Sequence, residues 1–295
     1  MKVAKTPIFI SGARLSKKEP ILFARWIDSD PSKSLGYRMR IATWNVNGLR
    51  ARLDFVRAWL IEREPDVVGM QELKVQDADF PHELFTELGY EVVTHGQKSW
   101  NGVAIASRLP ISVTDRGLPG QEDFGARLIS AQVEHLNFTT VYCPNGKDID
   151  HDDFPRKLAW YDTLIDYWSS RRDANEQAVL CGDFNIVPTA LDSWQGEQAD
   201  GHVFHSVEER ERFARLMDCG LVDLYRAQHP DEQAFSWWDY RGGAFHRGQG
   251  LRIDFMLGSP SVRERLLDTR IDRDFRKKKE GLTASDHAPV ITELA

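Results

Sequence analysis

Cysteines and long apolar runs are scarce in this chain, and each scarcity excludes a class of protein. Only three cysteines occur among 295 residues, at widely separated positions, which is too few for a disulfide framework or a cysteine-rich zinc site. No apolar run approaches the roughly 20 residues that span a bilayer. The first residues also lack the apolar stretch and small-residue cleavage site of a secretory signal. We therefore expect a cytoplasmic protein with no membrane partner, associated with the nucleoid if the source is bacterial.

An overall excess of positive charge is also missing. The net charge of −7 argues against binding nucleic acid through bulk charge alone, although a local basic patch stays open. Residues 1–38 hold eight basic and three acidic residues, a net +5, so the remainder carries −12. We predict that residues 1–38 form a basic, disordered N-terminal extension. The alternatives are a natural start at Met39, a short segment packed on the domain, or an arm that contacts phosphates.

From Met39 onward, strand-like and helix-like periodicities alternate. Strands are predicted at 41–45, 66–72, 90–94, 103–107, 111–114, 128–133, 138–142, 178–185, 251–257 and 288–291, and helices at 49–64, 81–88, 153–168 and 207–217. Mixed α and β elements with many hairpin-length spacings predict two sheets with helices outside them. We expect residues 39–295 to form one domain.

Polar residues suited to a metal or a phosphate lie at the ends of several predicted strands. They are Asn45, Glu72, Tyr142, Asp183, Asn185 and Asp254, together with Asp286 and His287 just before the final strand. One acid at such a position is weak evidence for a site. Taken alone, Asp183 and Asn185 could equally be a polar turn with no function. Six such elements, spread over about 240 residues, indicate one rim where the strand ends converge.

These residue types suit metal-assisted hydrolysis of a phosphodiester. Glu72 offers the hard carboxylate that Mg²⁺ prefers, with Mn²⁺ as an alternative. Asp183 can orient or deprotonate the attacking water, and Asn185 can hold that water without adding charge. His287 can donate to a non-bridging oxygen if a buried carboxylate such as Asp254 keeps its ring charged and fixed. No Ser or Cys nucleophile lies beside a candidate base in the sequence, so direct attack by water is predicted.

A second informative stretch, residues 235–241, holds four aromatic residues and is followed by four glycines. The glycines favour a loop over the site rather than a core segment. Such a loop can fill the gap left by a missing base, or wedge the duplex open, while Arg241, Arg247 and Arg252 contact phosphates.

Five sequence blocks resemble the signature blocks of the exonuclease III family of apurinic/apyrimidinic endonucleases. They are Trp44–Ala51, Gln71–Lys74, Gly182–Asn185, Leu251–Asp254 and Ser285–Pro289, and they match in order and spacing over residues 39–295. The resemblance implies a four-layer α/β sandwich, with two packed mixed sheets flanked by helices. It also implies an enzyme that incises duplex DNA 5′ to abasic sites and acts on 3′-blocked ends as a 3′→5′ exonuclease and 3′-phosphodiesterase. For the oligomeric state, a monomer is the default expectation.

The resemblance implies roles for residues of the rim. Asn45 and Glu72 resemble metal-site residues, and Asp286 resembles a further metal-side carboxylate. Tyr142 resembles the phenol that contacts the scissile phosphate. In the same way, Asp183 and Asn185 resemble the acid that activates water and its partner, and Asp254 and His287 the orienting pair.

The resemblance also implies contacts with DNA. Trp237 and Ile253 match the pocket for the abasic sugar, and Trp237 is favoured over Trp238 for that role. Asn47 matches a position that is an acid in some relatives and an amide in others, which leaves one or two metal ions as alternatives. Lys74 either neutralises charge near the site or is a solvated surface lysine.

Two other functions compete with DNA repair. An enzyme with the same fold and metal site could hydrolyse a small phosphoester, of the inositol-phosphate or sphingomyelin type. The Trp237 loop and the segment Gly117–Gly120 favour DNA instead. A catalytically inactive DNA-binding module would lack at least one of the predicted catalytic residues, and Glu72, Asp183 and His287 are all present.

Overall fold

The apolar strands of the sequence pair into two mixed sheets of six strands each, in a computed structural model that describes residues 38–170, 176–279 and 281–295. Residues Arg38–Ala295 form one compact unit. The predicted extension lies outside the described residues apart from Arg38, so its character stays a prediction. None of the helices in the described part of the chain has the length and apolar character that crossing a membrane demands.

Each sheet combines parallel and antiparallel neighbours. The first sheet contains β1 (Met39–Asn45), β2 (Val67–Gln71), β3 (Glu91–His95), β4 (Val103–Ser107), β11 (Leu266–Ile271) and β12 (Val290–Leu294), in the order β11-β12-β1-β2-β4-β3. The second contains β5 (Ile111–Arg116), β6 (Leu128–Val133), β7 (Leu136–Tyr142), β8 (Ala178–Asp183), β9 (Val222–Asp223) and β10 (Asp254–Gly258), in the order β5-β6-β7-β8-β10-β9.

The four longest helices cover the outer faces of the two sheets, whereas the two shortest add Leu224 and Val262 to the cluster between the sheets. Within the described residues they are α1 (Leu53–Arg63), α2 (His82–Glu87), α3 (Asp153–Ser170), α4 (Val207–Asp218), α5 (Leu224–Gln228) and α6 (Pro260–Glu264). One apolar cluster packs α1 and α2 on the first sheet, and a second packs α3 and α4 on the second sheet. A third cluster joins the facing sides of both sheets, with Ile41 and Val67 opposite Phe138 and Val179. The predicted four-layer sandwich is confirmed.

Parallel strand pairs bring carboxyl ends to one edge of each sheet. In the first sheet β1 runs parallel to β2, so that Asn45 is level with Gln71. In the second sheet β7 runs parallel to β8, so that Tyr142 is level with Asp183. Because the amide of Asn45 bonds to the carboxylate of Asp183 at 2.8 Å, the two edges meet.

Antiparallel strands bring further residues to the place where the two sheet edges meet, because an antiparallel strand begins where its neighbour ends. Strand β10 runs antiparallel to β8 and opens with Asp254 directly opposite Asp183. Strand β12 runs antiparallel to β1, so the residues just before it, including His287, arrive beside Asn45. The expectation that Asp254 follows a strand is therefore wrong in detail: it begins β10, and the reversed direction of that strand brings it to the rim.

The other departures from the predicted elements have local causes. Strand β10 starts at Asp254 rather than at residue 251 because Leu251 pairs with Ser193 and Trp237 outside the ladder. The edge strand β11 was not predicted, since only Thr269 of its six residues is buried and the apolar pattern is weak. Helices α5 and α6 span five residues each, too few to show a helical period.

Gly182, one residue before the acid at the end of β8, is the position of closest backbone approach. Its φ is +141°, and an added Cβ would lie 1.9 Å from the carbonyl oxygen of Val141 in β7. We expect Gly182→Ala to lower the free energy of unfolding by about 3 kcal/mol or more, because strain and a backbone clash add. Urea unfolding would measure the loss. The matched control is Gly201→Ala, where φ is +85° but no atom lies within 4 Å, with an expected loss of about 1 kcal/mol. Equal losses would contradict the assignment of a clash.

Candidate active site

The side-chain amide of Asn45 joins acids from both sheets. It donates from Nδ2 to Glu72 Oε2 at 3.0 Å and to Asp183 Oδ2 at 2.8 Å. Its own Oδ1 accepts from the backbone N–H of Asn47 at 2.9 Å, which fixes the orientation of the amide. Asn45 is fully buried, so its two N–H groups compensate two carboxylates where water is scarce.

Glu72 lies at the outer side of this cluster. Its backbone has a left-handed φ of +56°, which turns the chain at the end of β2. Glu72 Oε1 lies 2.8 Å from Lys74 Nζ, and the side chain of Glu72 keeps 17% of its surface exposed. A carboxylate held in place but still open to solvent suits a hard divalent cation.

Asp183 and Asn185 form a hydrogen-bonded turn at the end of β8. The backbone N–H of Asn185 donates to Asp183 Oδ1 at 3.0 Å, and Asn185 Nδ2 donates to the carbonyl of Cys143 at 3.0 Å. Burial raises the pKa of Asp183 to about 7, against the opposing effect of the positive charge on His287. An acid with that pKa can accept a proton near neutral pH.

His287 is a buried, charged imidazole. Burial alone would lower the pKa of His287, but the charge and hydrogen bond of Asp254 raise it to about 10. The ring donates from Nδ1 to Asp254 Oδ2 at 2.8 Å, and Nε2 lies 3.8 Å from Asp183 Oδ2. The Nε2–H group is therefore a protonated donor beside Asp183.

Asp286 is held by two donors from separate loops. Its Oδ1 accepts from Asn47 Nδ2 at 2.8 Å, and its Oδ2 accepts from the indole N–H of Trp237 at 3.1 Å. Burial would raise the pKa of Asp286, but His287, Asn47 and Trp237 together hold it below its usual value. Lys74 Nζ donates to Asn47 Oδ1 at 2.8 Å, so the predicted DNA contacts Asn47, Lys74 and Trp237 form one row through Asp286.

Tyr142 stands beside Asp183 at the end of β7. The guanidinium of Arg127 lies 4.8 Å from the centre of its ring, and Arg127 also donates to the backbone carbonyl of Tyr142 at 3.0 Å. Burial, with Glu72 and Asp183 adding to it, raises the pKa of Tyr142 well above its usual value. The side chain therefore keeps its phenolic proton and can donate it in a hydrogen bond.

The residues predicted to form a sugar pocket lie together. Ile253 packs with Val187 and Leu251, and Trp237 and Phe204 cover that cluster. Trp238 is fully buried and packs with Phe235 in a separate core cluster.

Two predicted phosphate contacts have different surroundings. The side chain of Arg241 is 90% exposed and pairs with Asp239, so it is accessible to a partner. Arg252 is only 2% exposed and is held by Asp192 at 2.7 Å and Asp223 at 2.8 Å. The expectation that Arg252 contacts DNA is corrected, because both sides of its guanidinium are occupied inside the protein.

Sequence reasoning missed three residues that support the site. Ser236 donates to Asp254 Oδ2 at 2.6 Å and accepts from the backbone N–H of Asp254 at 3.1 Å. Arg127 supports Tyr142, and Lys157 Nζ donates to the backbone carbonyl of Asn185 at 2.7 Å. Only Ser236 could have drawn attention, because its hydroxyl lies inside the aromatic run at residues 235–241, whereas neither Arg127 nor Lys157 lies in a stretch that the sequence marks out.

Several side chains of the site offer atoms that could hold a metal ion. Asp183, Asp254 and His287 each offer an atom within 4.8 Å of the others. In the metal-free protein the raised pKa of His287 keeps both ring nitrogens protonated, so a metal would have to displace a proton to bind there. Glu72 and Asp286 instead offer carboxylate oxygens, which fit a hard cation.

The chain is similar in sequence to bacterial exodeoxyribonucleases. Residues 42–287 match the Endonuclease/Exonuclease/phosphatase family. Exodeoxyribonuclease III of Haemophilus influenzae is 38% identical over 269 residues, which cover 87% of this chain and 100% of that protein. Exodeoxyribonuclease of Bacillus subtilis is 33% identical over 261 residues, which cover 85% of this chain and 98% of that protein.

Solved structures give the same picture. The 3′ phosphatase NExo from Neisseria, bound to a product DNA hairpin, superposes with a TM-score of 0.83 at 38% identity, covering 87% of this chain and 99% of that chain. An AP endonuclease from Archaeoglobus fulgidus superposes with a TM-score of 0.82 at 36% identity, covering 86% and 98% respectively.

The Asp254–His287 hydrogen bond makes a prediction for metal-free protein. We expect the His287 ring to stay protonated at pH 8, because its pKa is raised to about 10. Asp254→Asn removes the negative charge and should return the titration to near or below the ordinary value of about 6.5. Titration of ¹⁵N-histidine-labelled protein in EDTA would measure both. Ser236→Ala is the matched control, since it removes a hydrogen bond to Asp254 but keeps the charge. A His287 ring that is neutral at pH 8 in the parent protein would refute the assignment.

Proposed function

Because the chain belongs to the endonuclease/exonuclease/phosphatase family, as a DNA-repair hydrolase of the exodeoxyribonuclease III type, we propose that it incises duplex DNA 5′ to abasic sites. The same site would act on 3′-blocked ends as a 3′→5′ exonuclease and 3′-phosphodiesterase. The observation that carries this proposal is Asp183, joined through Asn45 to Glu72 and lying 3.8 Å from the charged His287. Every residue of the site comes from one chain, so a monomer suffices.

In the proposed reaction, water attacks phosphorus directly. Asp183 would accept the proton of the water. Asn185, whose amide nitrogen donates to the backbone carbonyl of Cys143, would hold that water through its side-chain oxygen. A covalent route through cysteine is disfavoured, since burial raises the pKa of Cys181 to about 12 and that of Cys143 still further. Both thiols are therefore uncharged at neutral pH.

Two donors would stabilise the negative charge that develops on the phosphoryl oxygens. His287 donates from Nε2, with Asp254 holding the ring and balancing its charge. The phenol of Tyr142, level with Asp183 across the β7–β8 pair, supplies the second hydrogen bond. Fixed donors aimed at developing charge stabilise a transition state more than the ground state.

The family is metal-dependent, and we propose Mg²⁺, with Mn²⁺ as an alternative, held by Glu72 and Asp286. The oxygen of Asn45 is engaged by the backbone of Asn47, so Asn45 acts chiefly by orienting Glu72. When bound, the cation would offset charge on the phosphate and on the departing 3′ oxygen.

The remaining residues would position the DNA. The cluster of Val187, Leu251 and Ile253, covered by Trp237, is apolar and suits a sugar that carries no base. Asn47 and Lys74 supply a donor and a positive charge at the metal side of this pocket. The exposed Arg241 is available to a backbone phosphate.

We expect the purified protein to nick a duplex that carries one tetrahydrofuran abasic analogue, on the 5′ side of the lesion, with Mg²⁺ present. EDTA should abolish the nick, because the phosphate would lose its cation. A denaturing gel measures the product, and a matched duplex without the lesion is the control. Hydrolysis of an inositol phosphate or sphingomyelin without any nick would favour the small-molecule alternative and reject the proposal.

Replacing Asp183 separates catalysis from binding. Asp183→Asn keeps the shape and one oxygen to accept from Asn45, gives up the oxygen that accepts from the N–H of Asn185, and removes the base, so we expect kcat to fall by about 10²- to 10⁴-fold. The Kd for the same duplex, measured in EDTA, should change by less than about threefold, since the neutral substitution breaks no DNA contact. Asp162→Asn, on the exposed side of α3 beside Arg215, is the matched control with unchanged kcat. Equal losses of kcat and affinity would assign Asp183 to binding instead.

A further inference from the structure

A buried ion pair lies directly behind the proposed catalytic residues. Lys157 on α3 and Glu209 on α4 are both fully buried, and Lys157 Nζ donates to Glu209 Oε1. The same ammonium donates to the backbone carbonyl of Asn185 at 2.7 Å and to that of Asn145 at 3.1 Å. All three N–H groups of the ammonium are therefore used.

Neighbouring residues leave space for the Lys157 side chain and orient its partner Glu209. A Cβ on Gly146, which has a φ of +85°, would lie 2.8 Å from Lys157 Cδ. The second oxygen of Glu209 accepts from the backbone N–H of Ser206 at 3.1 Å, in a capping box at the start of α4. Burying two charges is expensive, and an apolar pair of similar volume often stabilises a fold equally well. Stability alone is therefore a poor explanation for the pair.

Lys157 contacts Asn185 at a residue with an unusual backbone conformation. This residue has a left-handed φ of +50°, which a residue other than glycine seldom adopts. Three of its polar groups are fixed: the N–H to Asp183, the carbonyl to Lys157, and Nδ2 to the carbonyl of Cys143. The fourth polar group, the side-chain oxygen, is the one to which we assign the contact with water.

The same ammonium reaches the other parts of the site. Through the carbonyl of Asn145 it holds the loop that follows Tyr142 at the end of β7. Its Nζ lies 4.8 Å from the centre of the Phe204 ring, and Phe204 covers the apolar pocket with Trp237. One charge thus ties together the loop after β7, the loop after β8 and one wall of the pocket.

We propose that Lys157 and Glu209 are positioning residues, which hold Asn185 and the Tyr142 loop in the geometry needed to place water against the scissile phosphate. The inference rests on the proposed function, because the water and the phosphate are those of that reaction. Neither residue contacts the substrate. Their effect passes through the backbone carbonyls of Asn185 and Asn145.

The test is a double-mutant cycle with Lys157→Met and Asn185→Ala, made on the tetrahydrofuran duplex at a temperature where every variant is folded. We expect Lys157→Met to lower kcat by about 10²-fold, since small misplacements of reacting groups have effects of that size. The Kd in EDTA should change by less than about threefold. In the double variant, kcat should fall no further than in the more severe single variant. Losses that multiply would overturn the proposal, because Lys157 would then act independently of Asn185.

A second, partly buried ion pair on the opposite side of the fold is the control. Arg63 on α1 donates to Asp272 at 2.8 Å, and the side chains of Arg63 and Asp272 are 23% and 7% exposed. Asp272→Asn should lower the urea midpoint and leave kcat unchanged. A kcat loss equal to that of Lys157→Met would mean that any broken buried pair impairs the enzyme, and would overturn the positioning role.

A second readout does not depend on activity. In ¹⁵N-asparagine-labelled protein without metal, the side-chain amide signal of Asn185, identified by its loss in Asn185→Ala, should shift in Lys157→Met and exchange with water at least about tenfold faster. An unmoved signal would overturn the inference.

If Lys157→Met does not fold, Glu209→Gln takes its place with the same expectations, since it keeps the shape and removes the balancing charge. If the parent protein makes no nick, the proposed function fails. If the parent makes the nick but the losses of kcat in the two single variants multiply in the double variant, only this inference is rejected.

Discussion

The amide of Asn45, placed between Glu72 and Asp183, is the interaction on which the site depends. Two carboxylates in a buried space repel each other strongly, and each is costly to bury unless donors surround it. Asn45 satisfies one oxygen of each acid without adding charge. Because Asn45 ends a strand of the first sheet and Asp183 a strand of the second, this contact also joins the two sheets. The fold and the chemistry share one constraint, which is the need to compensate acids where the sheet edges meet.

Much of this arrangement follows from the sequence, because strand ends can be recognised locally. The four-layer sandwich and the convergence of Asn45, Glu72 and Asp183 follow from apolar runs that stop at polar residues and from the family resemblance. The placement of Arg252 could not be foreseen in the same way. Its partners Asp192 and Asp223 are 60 and 29 residues away in the chain, and only the folded structure brings them to both sides of the guanidinium. A basic residue next to a site motif suggests phosphate binding until such partners are known.

The supporting residues were hidden for a related reason. Lys157 donates to the backbone carbonyl of Asn185, which is 28 residues away in the chain. Every residue has a backbone carbonyl, so the sequence does not show which one accepts such a bond. The left-handed conformations of Glu72 and Asn185 could not be predicted from the sequence either, since neither residue is a glycine. Such conformations are maintained by the surrounding bonds rather than by local propensity. Sequence patterns therefore reveal the groups that meet the substrate more readily than the groups that hold them.

Environment, rather than residue type, separates the roles of the acids. Asp183, which is buried, and Asp286, which is partly buried, both lie near the charged ring of His287, yet their pKa values move in opposite directions. Burial prevails at Asp183, whose pKa rises to about 7, whereas the donors Asn47 and Trp237 help keep Asp286 ionised. An acid that readily takes a proton suits a base, and one that stays charged suits a cation. Trp237 both packs on the apolar cluster of Val187, Leu251 and Ile253 and donates to Asp286, so one side chain contacts both the proposed sugar side and the proposed metal side.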